Sequence, residues 1–398
     1  MSGALSCLIL DNPAQEQASL MSNDALRAVS PTTDVGSFPD RRADRAVVVD
    51  QVRAVTADWD RANGPEDFPA ARLRDLARLG ALDAFVALPD EAAIADLLTV
   101  LRRVGGADLS LGRVFEGHIN AVQLVEAYGS AQQRVTLIED LAAHRTFAVW
   151  NTEPAPGMTL AGHGDGFALS GAKCFATGAG HLDRALITAT LPDGAKQMVL
   201  ADIAGQPDRV DNSAWQVRGM RGSMSGTFDF DGMIVSRDAL IGGPGDYERE
   251  PRFSAGAWRF TAVQLGAIEA LLRHWRTHLL ATGKGADPIQ RVRFGAAVAA
   301  TRSANIWVAR AARLAETARP QAIACVMMTR GIVEDAGLQV MEGAARAVGT
   351  ASFFAGSRID RITRDLGLYL RQPVPDQARD RAAAAWMEAD CWGDDLWW

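Results

Sequence analysis

Residues 217–231 run Val217-Arg-Gly-Met-Arg-Gly-Ser-Met-Ser-Gly-Thr-Phe-Asp-Phe-Asp231. The second half, Gly226-Thr-Phe-Asp-Phe-Asp231, is a short run bounded by glycine and aspartate, the pattern of a strand. It leads into Ile234-Val-Ser-Arg-Asp-Ala-Leu-Ile241 and the loop Gly242-Gly-Pro-Gly-Asp246. Upstream stand Phe147-Ala-Val-Trp150, Phe167-Ala-Leu-Ser-Gly171, Arg184-Ala-Leu-Ile-Thr-Ala-Thr190 and Lys196-Gln-Met-Val-Leu-Ala201, with the turn Pro192-Asp193-Gly194 between the last two. Strands this closely spaced, with no helical period between them, predict a small antiparallel sandwich or barrel.

Outward from this block the period changes. Val47, Val48, Val52, Val55 and Trp59 recur at helical spacing, as do Leu73, Leu76, Leu79 and Leu82. Asp90-Glu91 precedes Ile94, Leu97, Leu98, Leu101 and Val104, and Gly105-Gly106 is expected to stop that helix. Val114–Tyr128 and Val135–Ala143 continue the series. After the strands, Trp258–Leu280 reads as a helix. Asp287-Pro288 opens a second to about Ala318, Pro320 a third to about Val348, and Pro373-Val-Pro375 with Asp376 a last one. The order is α+β rather than the alternation of a parallel sheet. The divisions are a flexible leader over 1–42, an N-terminal helical domain over 43–145, a β-domain over 146–250 and a C-terminal helical bundle over 251–398.

Bulk properties remove several function classes. A net charge of −7 over 398 residues argues against nucleic-acid binding, which needs a basic face. Cys7, Cys174, Cys325 and Cys391 are far apart and read as free thiols of a cytoplasmic protein. The six histidines lack ligand spacing, so no metal is expected, and no apolar run suits a membrane span. His118, in Phe115-Glu-Gly-His-Ile-Asn120, reads as a satisfied core histidine. The aromatic tail Cys391-Trp-Gly-Asp-Asp-Leu-Trp-Trp398 reads as packing on protein surface.

Five segments, in order, resemble the acyl-CoA dehydrogenase superfamily. Val149-Trp-Asn-Thr-Glu-Pro154 is similar to its T-E-P strand end, and Leu169-Ser-Gly-Ala-Lys-Cys-Phe-Ala-Thr-Gly178 to L-x-G-x-K-x-W-I-T-x-G. The 217–231 run resembles G-M-R-x-(T/S)-x-S, Arg291-Val-Arg-Phe-Gly295 resembles R-x-x-F-G, and Leu338-Gln-Val-Met-Glu-Gly343 resembles Q-x-x-G-G with Glu342 for the first glycine. The resemblance implies a central antiparallel β-domain between an N-terminal helical domain and a C-terminal four-helix bundle. It also implies FAD as cofactor. Trp150, Thr152, Phe175 and Thr177 would meet the flavin ring, Thr177 at its N5 edge. Period two would place Phe175 and Thr177 on one side of a strand. Arg291 and Phe294, with Gln339 and Gly343, would meet the pyrophosphate and adenylate of a neighbouring subunit's FAD, hence a homo-oligomer, a dimer or tetramer.

The resemblance fails where the family's reaction needs a base. Removing the α-proton of an acyl-CoA thioester takes a carboxylate, and the position that usually carries it, after Arg364-Asp-Leu-Gly-Leu-Tyr-Leu-Arg-Gln, is Pro373. The alternative stretch Phe253-Ser-Ala-Gly-Ala-Trp-Arg-Phe260 has none. Three readings stay open. A displaced base, Asp376 or Glu342, would support dehydrogenation of an acyl-CoA-like molecule, with an electron-transfer flavoprotein as acceptor. A flavin monooxygenase would need no such base but would need a flavin reductase. A catalytically silent relative would only bind.

Overall fold

The computed structural model describes residues 42–62 and 66–388. The leader up to residue 41 and the tail Cys391–Trp398, with Cys7 and Cys391, lie outside the described residues.

The apolar spacing of the N-terminal third becomes helices α1 (Arg42–Ala62), α2 (Ala70–Arg78), α3 (Glu91–Ala107), α4 (Leu109–Tyr128) and α5 (Ala131–Ala142). Val48, Val52 and Trp59 of α1 are buried, whereas Val47 points outward. Leu79 and Leu82 fall beyond the end of α2. Asp90 caps α3 by accepting from the Ala93 N–H at 2.8 Å. Gly105-Gly106 does not stop α3. Both glycines lie inside it, where a Cβ on Gly105 would stand 2.3 Å from the Val263 carbonyl oxygen. They let two helix backbones approach, a packing role that a local stop signal mimics in sequence. The break comes at Asp108, whose carboxylate caps α4 through the Leu111 N–H at 3.0 Å.

Helix gives way to strand at Phe147. The strands are β1 (Phe147–Trp150), β2 (Thr159–His163), β3 (Gly166–Ser170), β4 (Ala172–Ala176), β5 (Arg184–Thr190), β6 (Lys196–Asp202), β7 (Val210–Asp211), β8 (Gly226–Asp229), β9 (Ile234–Val235) and β10 (Leu240–Ile241). One sheet has the order β10-β6-β5-β2-β3-β9 with β1 also on β5, and the other is β4-β8-β7. Pairing is mostly antiparallel, but β1 runs parallel to β5 with Phe147 opposite Arg184 and Trp150 opposite Ile187. β2 also touches β5 in parallel, at Thr159–Thr190. The expected all-antiparallel pattern is corrected at these edges, because a helix-to-strand entry leaves β1 free to join from either direction. Trp150 of the first sheet stacks obliquely on Phe228 of the second, centroids 5.6 Å apart.

The rest of the chain is α6 (Arg252–Ala255), α7 (Trp258–Ala281), α8 (Pro288–Glu316), α9 (Ala322–Val348), α10 (Arg358–Tyr369) and α11 (Pro375–Glu388). Asp287 caps α8 through the Ile289 N–H at 2.7 Å, ahead of Pro288 at the first helical position. Helices α7, α8 and α9 pack on one another, α11 packs on α9, and α3 lies along α7.

Helix α10 ties the three regions together. Arg358 reaches Asp60 at 3.0 Å and the Gly106 carbonyl at 3.0 Å, Arg364 reaches Glu66 at 2.6 Å, and Arg361 reaches Asp108 at 3.2 Å. Asp365 accepts the Met220 N–H at 2.6 Å, which fixes the 217–225 loop against the helices. The loop comes so close that a Cβ on Gly219 would stand 2.0 Å from the Arg364 carbonyl oxygen.

Candidate functional site

Two strand ends, β1 and β4, carry the first group of expected site residues. They are held by a lysine with no exposed surface. Lys173 donates to the Asn151 carbonyl at 3.0 Å, to Glu153 Oε2 at 2.7 Å and to Thr188 Oγ1 at 3.3 Å. Burial pulls its pKa down, and the Glu153 carboxylate opposes that. The Cys174 N–H donates to the Thr152 carbonyl at 3.0 Å, so the T-E-P turn is pinned while the Thr152 side chain stays exposed. Trp150 is buried, and its indole N–H donates to the Thr177 carbonyl at 3.0 Å.

Strict alternation does not survive at Phe175. The pairing of β4 with β8 shifts register between Lys173 and Ala176, and Phe175 adopts a left-handed φ of 52°. Phe175 is therefore 40% exposed while Thr177, past the strand end, is 7% exposed. The two do not share a strand face as period two required. A bulge and the left-handed residue break the alternation between them.

Thr177 meets the 217–225 loop through hydroxyls 48 residues away in sequence, a feature the sequence reading did not isolate. Thr177 Oγ1 lies 3.0 Å from Ser225 Oγ, Ser225 Oγ lies 2.8 Å from Ser223 Oγ, and Ser223 Oγ donates to the Met220 carbonyl at 2.8 Å. Gly178 N–H donates to the Ser223 carbonyl at 2.8 Å. The loop holds Met220 and Met224 in left-handed conformations, with φ of 58° and 42°. Burial pushes the Asp365 carboxyl that anchors it up to about 6, against the Met220 N–H and Arg361. On the other side of this loop a cleft of about 360 Å³ opens toward the bundle, walled by Arg218, Gly219, Phe353, Thr363, Arg364 and Leu368.

The second group sits on other elements. Arg291 on α8 is exposed and donates to the Ala286 carbonyl at 2.6 Å, and Gln339 on α9 is exposed. Phe294 packs edge-on against Trp275 at 5.3 Å, and Gly343 abuts the same indole. Within one chain these residues form a patch on α8 and α9, and the first group lies at the strand ends.

Pro373 stands between α10 and α11, and its surroundings are cationic. Arg330 donates to the carbonyls of Gln372, at 3.2 Å, and of Pro373 and lies over the Phe260 ring at 5.5 Å. Burial lowers its pKa to about 10. Glu334, which the sequence reading overlooked, lines the same small cavity but is clamped by Arg371 at 2.6 Å and Arg379 at 2.9 Å. Glu116 on α4 pairs with Arg113, and Glu316 with Arg259 at 2.6 Å. The earlier candidates lie outward: Glu342 bonds Arg346 on the exposed face of α9, and Asp376 is exposed in the first turn of α11. His118 is buried and satisfied, its Nε2 2.8 Å from the Leu82 carbonyl and its Nδ1 accepting the Phe147 N–H at 3.1 Å.

No protein-family model matches the chain. It is 24% identical over 377 residues to a dibenzothiophene monooxygenase of Rhodococcus erythropolis, covering 82% of this chain and 88% of that one. A dibenzothiophene monooxygenase of Mycolicibacterium goodii is 31% identical over 163 residues, a match that spans 37% of this chain and 38% of the relative. Cyclohex-1-ene-1-carbonyl-CoA dehydrogenase of Geobacter metallireducens is 24% identical over 319 residues, covering 74% and 84%. Among solved structures, the dibenzothiophene monooxygenase TdsC of Paenibacillus sp. A11-2, with FMN and indole, gives a TM-score of 0.72 at 20% identity over 87% of this chain and 97% of that one. A glutaryl-coenzyme A dehydrogenase complex gives 0.73 at 16% identity over 89% and 97%. By these likenesses the chain has the acyl-CoA dehydrogenase-like fold, and its sequence is similar to monooxygenases and dehydrogenases alike.

Proposed function

We propose that this protein is a flavin-dependent monooxygenase built on the dehydrogenase fold. The carrying observation is the pairing of carboxylates: Glu116, Glu316 and Glu334 each engage an arginine, while Pro373 faces Arg330. A carboxylate whose oxygens are engaged by a guanidinium is tied to that partner and is not free to turn toward an α-proton. Oxygen insertion asks for no such base.

The residues fit a flavin. The 360 Å³ cleft on the far side of the 217–225 loop is of ligand size and has Arg218, Arg364 and the exposed Phe353 in its wall, while the expected ring contacts lie on the near side, at the strand ends. Phe175 and the Thr152 hydroxyl are exposed at the strand ends. Thr152, Phe175 and Thr177 would hold the ring, with Trp150 buttressing Thr177 from behind. Bound flavin supplies two-electron redox chemistry and, once reduced, reactivity toward O₂. The chain's own part is to grip the ring, exclude water and orient a substrate beside it. FAD rather than FMN follows if Arg291, Phe294, Gln339 and Gly343 serve an adenylate half. That role needs a neighbouring copy, and the exposed Ile289, Val292 and Leu338 beside those residues favour a homo-oligomer.

The relatives named as dibenzothiophene monooxygenases, and the neighbour solved with indole, favour an aromatic heterocycle as substrate; oxygenation would also need reduced flavin, which we assign to a separate flavin reductase. Among the described residues no helix is long and apolar enough to cross a membrane, and Cys174 and Cys325 are buried and form no disulfide. We propose a cytoplasmic location, which two buried cysteines outside any disulfide favour. The dehydrogenase of an acyl-CoA-like substrate, with an electron-transfer flavoprotein, is the competing reading, favoured by the Geobacter relative. Turnover of indole and dibenzothiophene with a reductase under ¹⁸O₂ tests the proposal. Product carrying ¹⁸O supports it. Dehydrogenation of an acyl-CoA without oxygen incorporation overturns it.

A further inference from the structure

The hydroxyl chain behind Thr177 has only one possible direction. Each hydroxyl carries a single proton and can donate one hydrogen bond. Ser223 Oγ lies 2.8 Å from the Met220 carbonyl oxygen, which has no proton to give, so the Ser223 proton is committed there. The 2.8 Å contact between Ser223 and Ser225 then takes the Ser225 proton. The 3.0 Å contact between Ser225 and Thr177 must in turn take the proton of Thr177. Reversing any link would press two lone pairs together at hydrogen-bond distance. Ser223, Ser225 and Thr177 are 1%, 7% and 7% exposed, so bulk water does not relieve the constraint. The Met220 carbonyl is itself fixed, because the Met220 N–H is held by Asp365 at 2.6 Å and the backbone there is left-handed.

Thr177 Oγ1 is consequently left with lone pairs only on its free side. It can accept a hydrogen bond but cannot donate one. We propose that Ser223 and Ser225 set the redox preference of the site: by consuming the Thr177 proton they make it select a ring nitrogen that carries hydrogen, the reduced flavin, over the oxidised ring, whose nitrogen offers a lone pair. This rests on the flavin reading above. It assigns a specificity role to two serines that touch no ligand themselves, and it suits an enzyme that receives its flavin already reduced.

The test is the ratio of dissociation constants for oxidised and reduced flavin, measured on the full chain by anaerobic titration and by the potential of the bound couple. An acceptor facing a lone pair in a buried site should weaken oxidised flavin by roughly tenfold relative to reduced. A tenfold ratio raises the bound two-electron potential by about 30 mV above free flavin. Ser225→Ala frees the Thr177 proton, and the ratio should fall toward one. Ser223→Ala should do the same by letting Ser225 turn its proton to Thr177. Ser225→Thr keeps the hydroxyl count and should keep the preference. Equal or tighter binding of oxidised flavin by the wild type, which needs no variant to fold, overturns the inference but leaves the flavin reading intact. An unchanged ratio in both alanine variants also overturns it. Failure to bind either form removes both.

Discussion

Lys173→Met keeps the length and apolar stem of the side chain and deletes only the ammonium. Three contacts go with it: the Asn151 carbonyl at 3.0 Å, Glu153 at 2.7 Å and Thr188 at 3.3 Å. Leaving a buried carbonyl without a donor costs about 1–3 kcal/mol, and a hydrogen bond to a charged group contributes about 1.5–3 kcal/mol. Against this stands the desolvation of a lysine with no exposed surface, which the substitution relieves. Glu153 keeps 22% of its side chain in water and can rehydrate, so the net cost should fall near the lower end of the range for a broken buried pair, about 3 kcal/mol. Urea unfolding of wild type, Lys173→Met, Glu153→Gln and the double variant measures it. The double variant should recover at least about 1 kcal/mol of the single loss, because the coupling lies between those two residues. A Lys173→Met protein within about 0.5 kcal/mol of wild type would refute the reasoning. It would mean that the pinned T-E-P turn does not depend on this charge.

Gly219→Ala should destabilise the protein by roughly 2–5 kcal/mol and weaken flavin retention, since backbone must move where a Cβ would lie 2.0 Å from the Arg364 oxygen. Wild-type unfolding midpoints and flavin occupancy would contradict it. Burial lowers the His118 pKa from 6.5 to about 4 despite its bond to Leu82. The unfolded chain then binds the proton first, so stability present above pH 6.5 drains away as pH falls toward 4, by roughly 3 kcal/mol in all. His118→Gln should flatten that window in denaturant midpoints taken across it, and an unchanged slope would count against it. Arg291→Ala should weaken FAD retention by about 1.5–3 kcal/mol, read by equilibrium dialysis, and full occupancy would remove its pyrophosphate role. Pro373→Glu should not create dehydrogenase activity, because the new carboxylate would enter beside Arg330. Thioester-driven flavin reduction by that variant would show a working base geometry.

Most of the architecture was legible because it depends on local chemistry. Asp90 and Asp287 are caps by residue type and position, and both accept the expected backbone N–H. The strand runs at Phe147, Arg184 and Lys196 start where their turns say they should. What stayed hidden depends on which distant backbones meet. Gly105-Gly106 resembles a stop until Val263 is seen lying across it. Period two fails at Phe175 because a bulge and a left-handed residue interrupt β4. The parallel joining of β1 to β5 has no local signal at all. At the site, the sequence shows Pro373 where the resemblance expects the base. The arginines that neutralise Glu334, Glu116 and Glu316 come from separate helices or from the next helical turn, among many other arginines in the sequence. The Thr177–Ser225–Ser223 chain spans a sequence separation that no motif encodes.

The claim that the fold has exchanged thioester dehydrogenation for oxygenation is tested most directly by mixing the flavin-loaded protein with acyl-CoA thioesters of varied chain length under argon. The visible absorption of the bound oxidised flavin should persist through many minutes, since Glu334, the carboxylate that lines the cavity beside Pro373, is held by Arg371 and Arg379 and Asp376 lies on the exposed first turn of α11. Bleaching by any thioester within a turnover time of about a second would contradict the account and require a base among these residues.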